Sequence, residues 1–186
     1  LPGVPAIAAG SNRHVAWGFT NSYGDFQDLV ALEPGPEGAT TYMTPQGLRK
    51  FDEAIERIEV AGGEPQELII KRTIWGPVIG DDGDGRQLAL AWTAHRVEAL
   101  DMALLTLETA RDIDEAAAII GGAGMPAQNV MLADRSGRIG WVLSGRLPAR
   151  RGFESTRPAG WHAAGVGWDG WVSKSDTPRL LDPPQG

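Results

Sequence analysis

Turn chemistry recurs along the whole chain and leaves no space for a long uninterrupted element. Gly10-Ser11-Asn12, Asn21-Ser22-Tyr23-Gly24-Asp25, Asp81-Asp82-Gly83-Asp84-Gly85 and Asp134-Arg135-Ser136-Gly137 each separate runs of apolar or alternating residues. Glycine reaches backbone angles closed to other residues, and Asn, Asp and Ser bond to their own main chain, so such clusters read as turns. The intervening runs have the length and alternation of strands. Residues 4–9, 14–20, 26–32 and 67–72 are strand-like. Residues 75–79 and 87–93 flank the aspartate-rich tip as a hairpin, and residues 129–133 and 139–144 flank the last turn as another. For residues 51–61, Ile55, Ile58 and Val60 leave both helix and strand open.

One stretch departs from this pattern. Leu100, Ala103, Leu104 and Leu107 recur at spacings of three and four, as one helix face requires. Asp112 or Asp114 then caps a second helix through residue 120, ended by Gly121-Gly122. Residues 145–186, rich in Gly, Pro and Trp, read as long ordered loop. The expected fold is α+β, a predominantly antiparallel β protein with a helical insertion near 97–121.

Composition narrows the chemistry. The balance of 17 basic to 24 acidic residues, a net charge of −7, argues against a nucleic-acid binder, which usually shows a basic face. No apolar run approaches the roughly 18 residues of a membrane helix. Zero cysteines exclude disulfides, thiolate metal sites and a cysteine nucleophile. The 3 histidines, His14, His95 and His162, lack a two-ligand helical spacing for zinc. There is no phosphate loop, dinucleotide fingerprint or Gly-x-Ser-x-Gly elbow. An EF-hand starting at Asp81 would need Glu at its twelfth position, which is Trp92. The 7 tryptophans suit strand cores, or the wall of a non-catalytic carbohydrate- or peptide-binding module. The first residue, Leu1, and the last segment, ending at Gly186, give the look of a cut chain, so residues 1–186 are expected to be a single fragment of a longer polypeptide.

Several blocks carry a resemblance. Gly10-Ser11-Asn12-Arg13-His14-Val15-Ala16-Trp17-Gly18-Phe19-Thr20 is followed by Arg72-Thr73-Ile74-Trp75-Gly76-Pro77-Val78 and Leu90-Ala91-Trp92-Thr93. Then come Pro126-Ala127-Gln128-Asn129-Val130, Ala133-Asp134-Arg135-Ser136-Gly137-Arg138-Ile139-Gly140-Trp141, Gly145-Arg146-Leu147-Pro148-Ala149-Arg150 and Trp168-Asp169-Gly170-Trp171. Together, in this order, they resemble the larger subunit of penicillin acylases, which are N-terminal-nucleophile hydrolases of αββα sandwich fold.

The resemblance implies an interior piece of that subunit, with the nucleophilic serine upstream and exposed by autoproteolysis. Ser11, although it stands in a Gly-Ser-Asn tripeptide, is then a turn residue. It further implies an oxyanion hole from the Asn129 side-chain amide and the Asn21 backbone N–H, with Arg150 orienting Asn129. Ala9 would line the acyl pocket. Asp25, Gln27 and Asp28 would contribute to a structural calcium site. The implied partners are the other segments of the same precursor, the small subunit and the rest of the large one, and a small acylated amide. A bacterial periplasmic or secreted location and an inactive isolated fragment follow from the same resemblance.

Overall fold

The computed structural model describes residues 6–184, apart from the side chain of Ala39; the start of the strand expected at 4–9 lies outside them. In chain order the strands are β1 (Ala9–Ser11), β2 (Val15–Asn21), β3 (Gln27–Ala31), β4 (Pro34–Gly35), β5 (Gly38–Thr44), β6 (Gly47–Lys50), β7 (Asp52–Ile58), β8 (Gln66–Arg72), β9 (Val78–Asp81) and β10 (Gln87–Trp92). Three short 3-10 turns and one helix, α1 (Ile113–Ile120), precede β11 (Gln128–Asp134), β12 (Ile139–Ser144), β13 (Pro148–Arg151), β14 (Gly167–Trp171) and β15 (Arg179–Leu181). The expected antiparallel α+β class is the one found.

The chain divides into two compact units. The first comprises residues up to Phe26, Thr93–Ala149 and the chain from Gly170. Its centre is a five-stranded sheet in the order β1-β2-β11-β12-β15, every neighbouring pair antiparallel. Because side chains alternate across a sheet, Val15, Trp17, Val130, Leu132 and Val142 share one face. Against them pack Leu107, Ala110, Ile113, Ala116, Ala117 and Ile120, and this cluster is the core of the unit.

Helix α1 packs as it does because its buried apolar residues fall at 113, 116, 117 and 120, the spacing of one helical face. Its first turn is held from both sides. Asp112 Oδ1 accepts from the Glu115 N–H at 2.9 Å, and the Glu115 carboxylate accepts from the Arg111 N–H at 2.9 Å. Asp112, of the two candidates, is therefore the cap. Gly121 closes the helix in a right-handed conformation, with φ −65°, so no left-handed glycine is needed there.

The periodic residues 100–107 do not make an α-helix. Leu100 is extended, and Ala103, Leu104 and Leu107 lie in a 3-10 segment, Ala103–Thr109. Thr106 Oγ1 and Thr109 Oγ1 each donate to the carbonyl three residues back, at 2.6 and 2.7 Å. Such back-bonding competes with the i→i−4 ladder. Of the apolar face read from the sequence, only Leu107 is fully buried, while Leu100 is exposed.

The second unit comprises Gln27–Trp92 and Arg150–Asp169. It holds a β3-β10-β9 sheet, a β4-β5-β6 sheet and the β7–β8 hairpin. The open choice at residues 51–61 is resolved by pairing: Asp52 through Ile58 face Arg72 through Gln66 in register. Its core joins Val30, Leu32, Tyr42, Ala89, Ala91 and Trp161. Trp161 lies edge-on to Trp75 at 6.1 Å and 5.9 Å from Trp168. Offset and edge contacts of this kind suit aromatic quadrupoles. Trp17, Trp75, Trp161 and Trp168 thus serve cores rather than a binding wall.

The region from 145 onward, expected as loop, contains three short strands. β13 and β14 pair as a ribbon, and β15 closes the edge of the five-stranded sheet. Their brevity and the glycines and prolines between them hide any period in the sequence.

Candidate active site

The side of the five-stranded sheet opposite the helix carries the polar group of most interest. Register places Asn129 opposite Thr20 on β2 and opposite Leu143 on β12. Trp141 pairs with Met131, which makes it the diagonal neighbour of Asn129 on the same face. Met131 is exposed on that face.

The Asn129 amide is bonded at both ends. Its Nδ2 donates to the Asn21 carbonyl at 3.2 Å. Its Oδ1 accepts from the Trp141 indole N–H at 2.9 Å. An amide nitrogen has two hydrogens, so one remains for an acceptor lying over the open face of the sheet. Asn129 and Asn21, two of the residues expected at the site, are thus brought together.

The approach to Asn129 depends on a glycine. Gly145 ends the β12 segment at φ +82°, and a Cβ there would lie 2.6 Å from the Met125 carbonyl and 2.8 Å from the Ala127 main chain. Ser22 Oγ also donates to the Ala127 carbonyl, at 2.8 Å. Ser144 Oγ both accepts from the Gln128 N–H and donates to its carbonyl. The segment leading into Asn129 is therefore held by backbone-directed bonds.

The Gly-Ser-Asn tripeptide is structural. Asn12 Oδ1 accepts from the His14 and Val15 N–H groups at 2.9 and 2.8 Å. Its Nδ2 donates to the carbonyls of Glu108 and Ala110 at 3.0 and 2.7 Å. One side chain thus closes the β1–β2 turn and ties it to the end of the 3-10 segment. Ser11 Oγ accepts from the Arg13 N–H, and Arg13 adopts φ 73° to make the turn. Ala9 opens β1, exposed, opposite Gly18.

Arg150 and Asp28 form a buried pair within the second unit. Arg150 Nε donates to Asp28 Oδ2 at 2.9 Å, and the Trp168 indole N–H donates to the same oxygen at 2.5 Å. The Asp28 side chain is 2% exposed, so this carboxylate depends on its donors. Asp25 is exposed and belongs to the first unit; Gln27 and Asp28 open the second. Two carboxylates and a backbone carbonyl are hard oxygen donors of the kind calcium takes. Among the described residues no three His, Cys, Asp or Glu gather as a metal site.

The architecture is that of penicillin acylases, whose fold is the N-terminal-nucleophile hydrolase fold. A thermostable penicillin G acylase from Alcaligenes faecalis superposes on the whole chain with TM-score 0.85 at 28% identity, the match covering 34% of that chain. An acyl-homoserine lactone acylase, QuiP, of Pseudomonas fluorescens is 31% identical over all of this chain and 24% of its own length. Penicillin acylase 2 proenzyme of Pseudomonas sp. is 30% identical, again over all of this chain and 24% of its own length. The chain therefore spans about a quarter of these relatives. Residues 1–186 match the family described as penicillin amidase, and the chain belongs to it.

Proposed function

We propose that the full-length protein hydrolyses a linear amide in a small acylated compound, and that this chain supplies its oxyanion hole. The observation that carries the reading is the Asn129 amide, held against the Asn21 carbonyl on the open face of the sheet. In the proposed reaction a serine hydroxyl, freed upstream by autoproteolysis and deprotonated by its own α-amino group, attacks the amide carbonyl. The carbonyl oxygen gains charge as the new C–O bond forms. The remaining Asn129 N–H and the Asn21 backbone N–H donate to that oxygen, and the amine leaves with a proton. Water then cleaves the acyl-serine ester by the same route. Preorganised donors at the oxyanion commonly contribute a few kcal/mol to such a step.

The relatives named for penicillin and for acyl-homoserine lactones share an acylated amide, which sets the substrate class. Arg150 is assigned to orient the neighbourhood of the donors, and Ala9 to line the acyl pocket. Asp25, Gln27 and Asp28 are assigned to a calcium site completed by other segments of the precursor, to be tested by calorimetric titration of the intact protein. A bacterial periplasmic or secreted protein is the setting, and the fragment by itself is inactive.

The test is hydrolysis of a panel of acyl amides by the processed full-length protein. Turnover of any member, lowered by about 10²–10³ in Asn129→Ala with processing intact, is the expected result. Processed protein inactive on every amide, or an Asn129→Ala variant as fast as its parent, sinks the reading.

A further inference from the structure

We infer that Trp141 is a positioning residue for the oxyanion donor: its indole N–H sets which end of the Asn129 amide faces the reacting carbonyl. This rests on the role proposed above for Asn129. The amide of asparagine turns about a soft terminal torsion, and its oxygen and nitrogen occupy similar space. Two orientations half a turn apart therefore compete. In one, an N–H faces the developing oxyanion. In the other, a carbonyl oxygen faces it and repels the charge.

The two neighbours of Asn129 decide between them by opposite chemistry. The indole nitrogen can only donate, so the atom 2.9 Å from it is the amide oxygen. The Asn21 carbonyl can only accept, so the atom 3.2 Å from it is the amide nitrogen. Turning the amide over would set N–H against N–H and oxygen against oxygen. The Asn21 contact comes from the main chain and persists in any variant. Trp141 is the replaceable half of the clamp, half-buried on the neighbouring strand.

The experiment uses the processed full-length protein and two replacements at position 141. Trp141→Phe removes the N–H together with part of the ring. Incorporation of 3-benzothienylalanine keeps the bicyclic shape and puts sulfur where the N–H was. With an acyl amide the parent hydrolyses, both should lower kcat by about tenfold to a hundredfold while KM stays within about twofold, the range for partners that orient a reacting group. In an Asn129→Ala background the benzothienyl replacement should lower kcat no further, since groups acting as one unit are not additive. Wild-type kcat in the benzothienyl protein overturns the proposal, even if Trp141→Phe fails to fold, because ring packing would then be the whole contribution. An equal loss with and without Asn129 also overturns it. If Asn129→Ala is itself as active as its parent, the oxyanion assignment is what has failed.

Discussion

Two hairpins of similar length meet opposite fates in this chain. β11 and β12 pair from Gln128 to Ala133, and β7 and β8 pair from Asp52 to Ile58, both antiparallel and in continuous register. In the first, Val130, Leu132 and Val142 are sealed beneath α1. In the second, Ile55 is 65% and Ile69 59% exposed although they face one another across the ribbon. Backbone bonding is alike in both, so the difference lies in what covers them. A covered face penalises a register slip, because one step moves every apolar side chain to the wrong side. The exposed ribbon has no such penalty. Its alignment has only cross-strand neighbours such as Ile55 and Ile69 to fix it, and such pairs contribute only tenths of a kcal/mol each. Uniqueness at the first hairpin is also what lets it hold Asn129 at a fixed place.

Breaking the covered hairpin gives the largest expected effect. Leu132→Ala in the full-length protein should lower the unfolding free energy by about 2–5 kcal/mol in a denaturant titration, the range for a buried leucine. A change under about 1 kcal/mol would mean that the face is less closely packed than its burial implies. Asn129→Ala, on the open side of the same strand, should instead act on rate: about 10²–10³ in kcat with the unfolding midpoint nearly unchanged. A large loss of stability would merge the two faces and blur the comparison.

Smaller perturbations sharpen it. Asp112→Ala removes the cap of the helix that covers the hairpin and should cost about 1 kcal/mol by the same titration. Ile55→Thr together with Ile69→Thr in the exposed ribbon should stay within about 0.5 kcal/mol per site. The same pair should reduce self-association in sedimentation, since exposed apolar strands invite pairing.

The turn of the covered hairpin adds a pH test. Asp134 accepts from the Ser136 hydroxyl and from the Ser136 and Arg138 N–H groups. These bonds, with the Ser136 hydroxyl foremost, hold its carboxyl below the ordinary value of 3.8. A carboxyl depressed on folding contributes stability that is present above its unfolded value and lost as pH falls through the folded one. The midpoint for Asp134→Asn should therefore lie below that of the parent at neutral pH, and the gap should close below about pH 3.8. A gap independent of pH would assign the bonds to geometry rather than charge.

Much of this is legible residue by residue. The turn at Asp134-Arg135-Ser136-Gly137 and the runs on either side mark β11 and β12, because alternation and turn chemistry agree there. The Asp81 to Gly85 tip marks β9 and β10 for the same reason. The 3-10 segment reads as α-helix in the sequence, since the three-residue spacing of Leu104 and Leu107 fits both helices, while the threonine back-bonds favour the tighter one. Residues 51–61 stay open there because Glu, Arg and Ile alternate without a dry face.

Local chemistry thus determined the class of fold, the turns, the two candidates for the helix cap and the family blocks, all of which depend on neighbours within a few positions. Tertiary structure alone decided that Trp141 reaches Asn129, that Asn12 ties down the carbonyls of Glu108 and Ala110, and that Arg150 answers Asp28 across 122 positions of sequence. Each of those bonds needs a register or a packing that no short window contains. The same residues in a sheet shifted by one position would point to the opposite face, and the Asn129 amide would be buried against the helix.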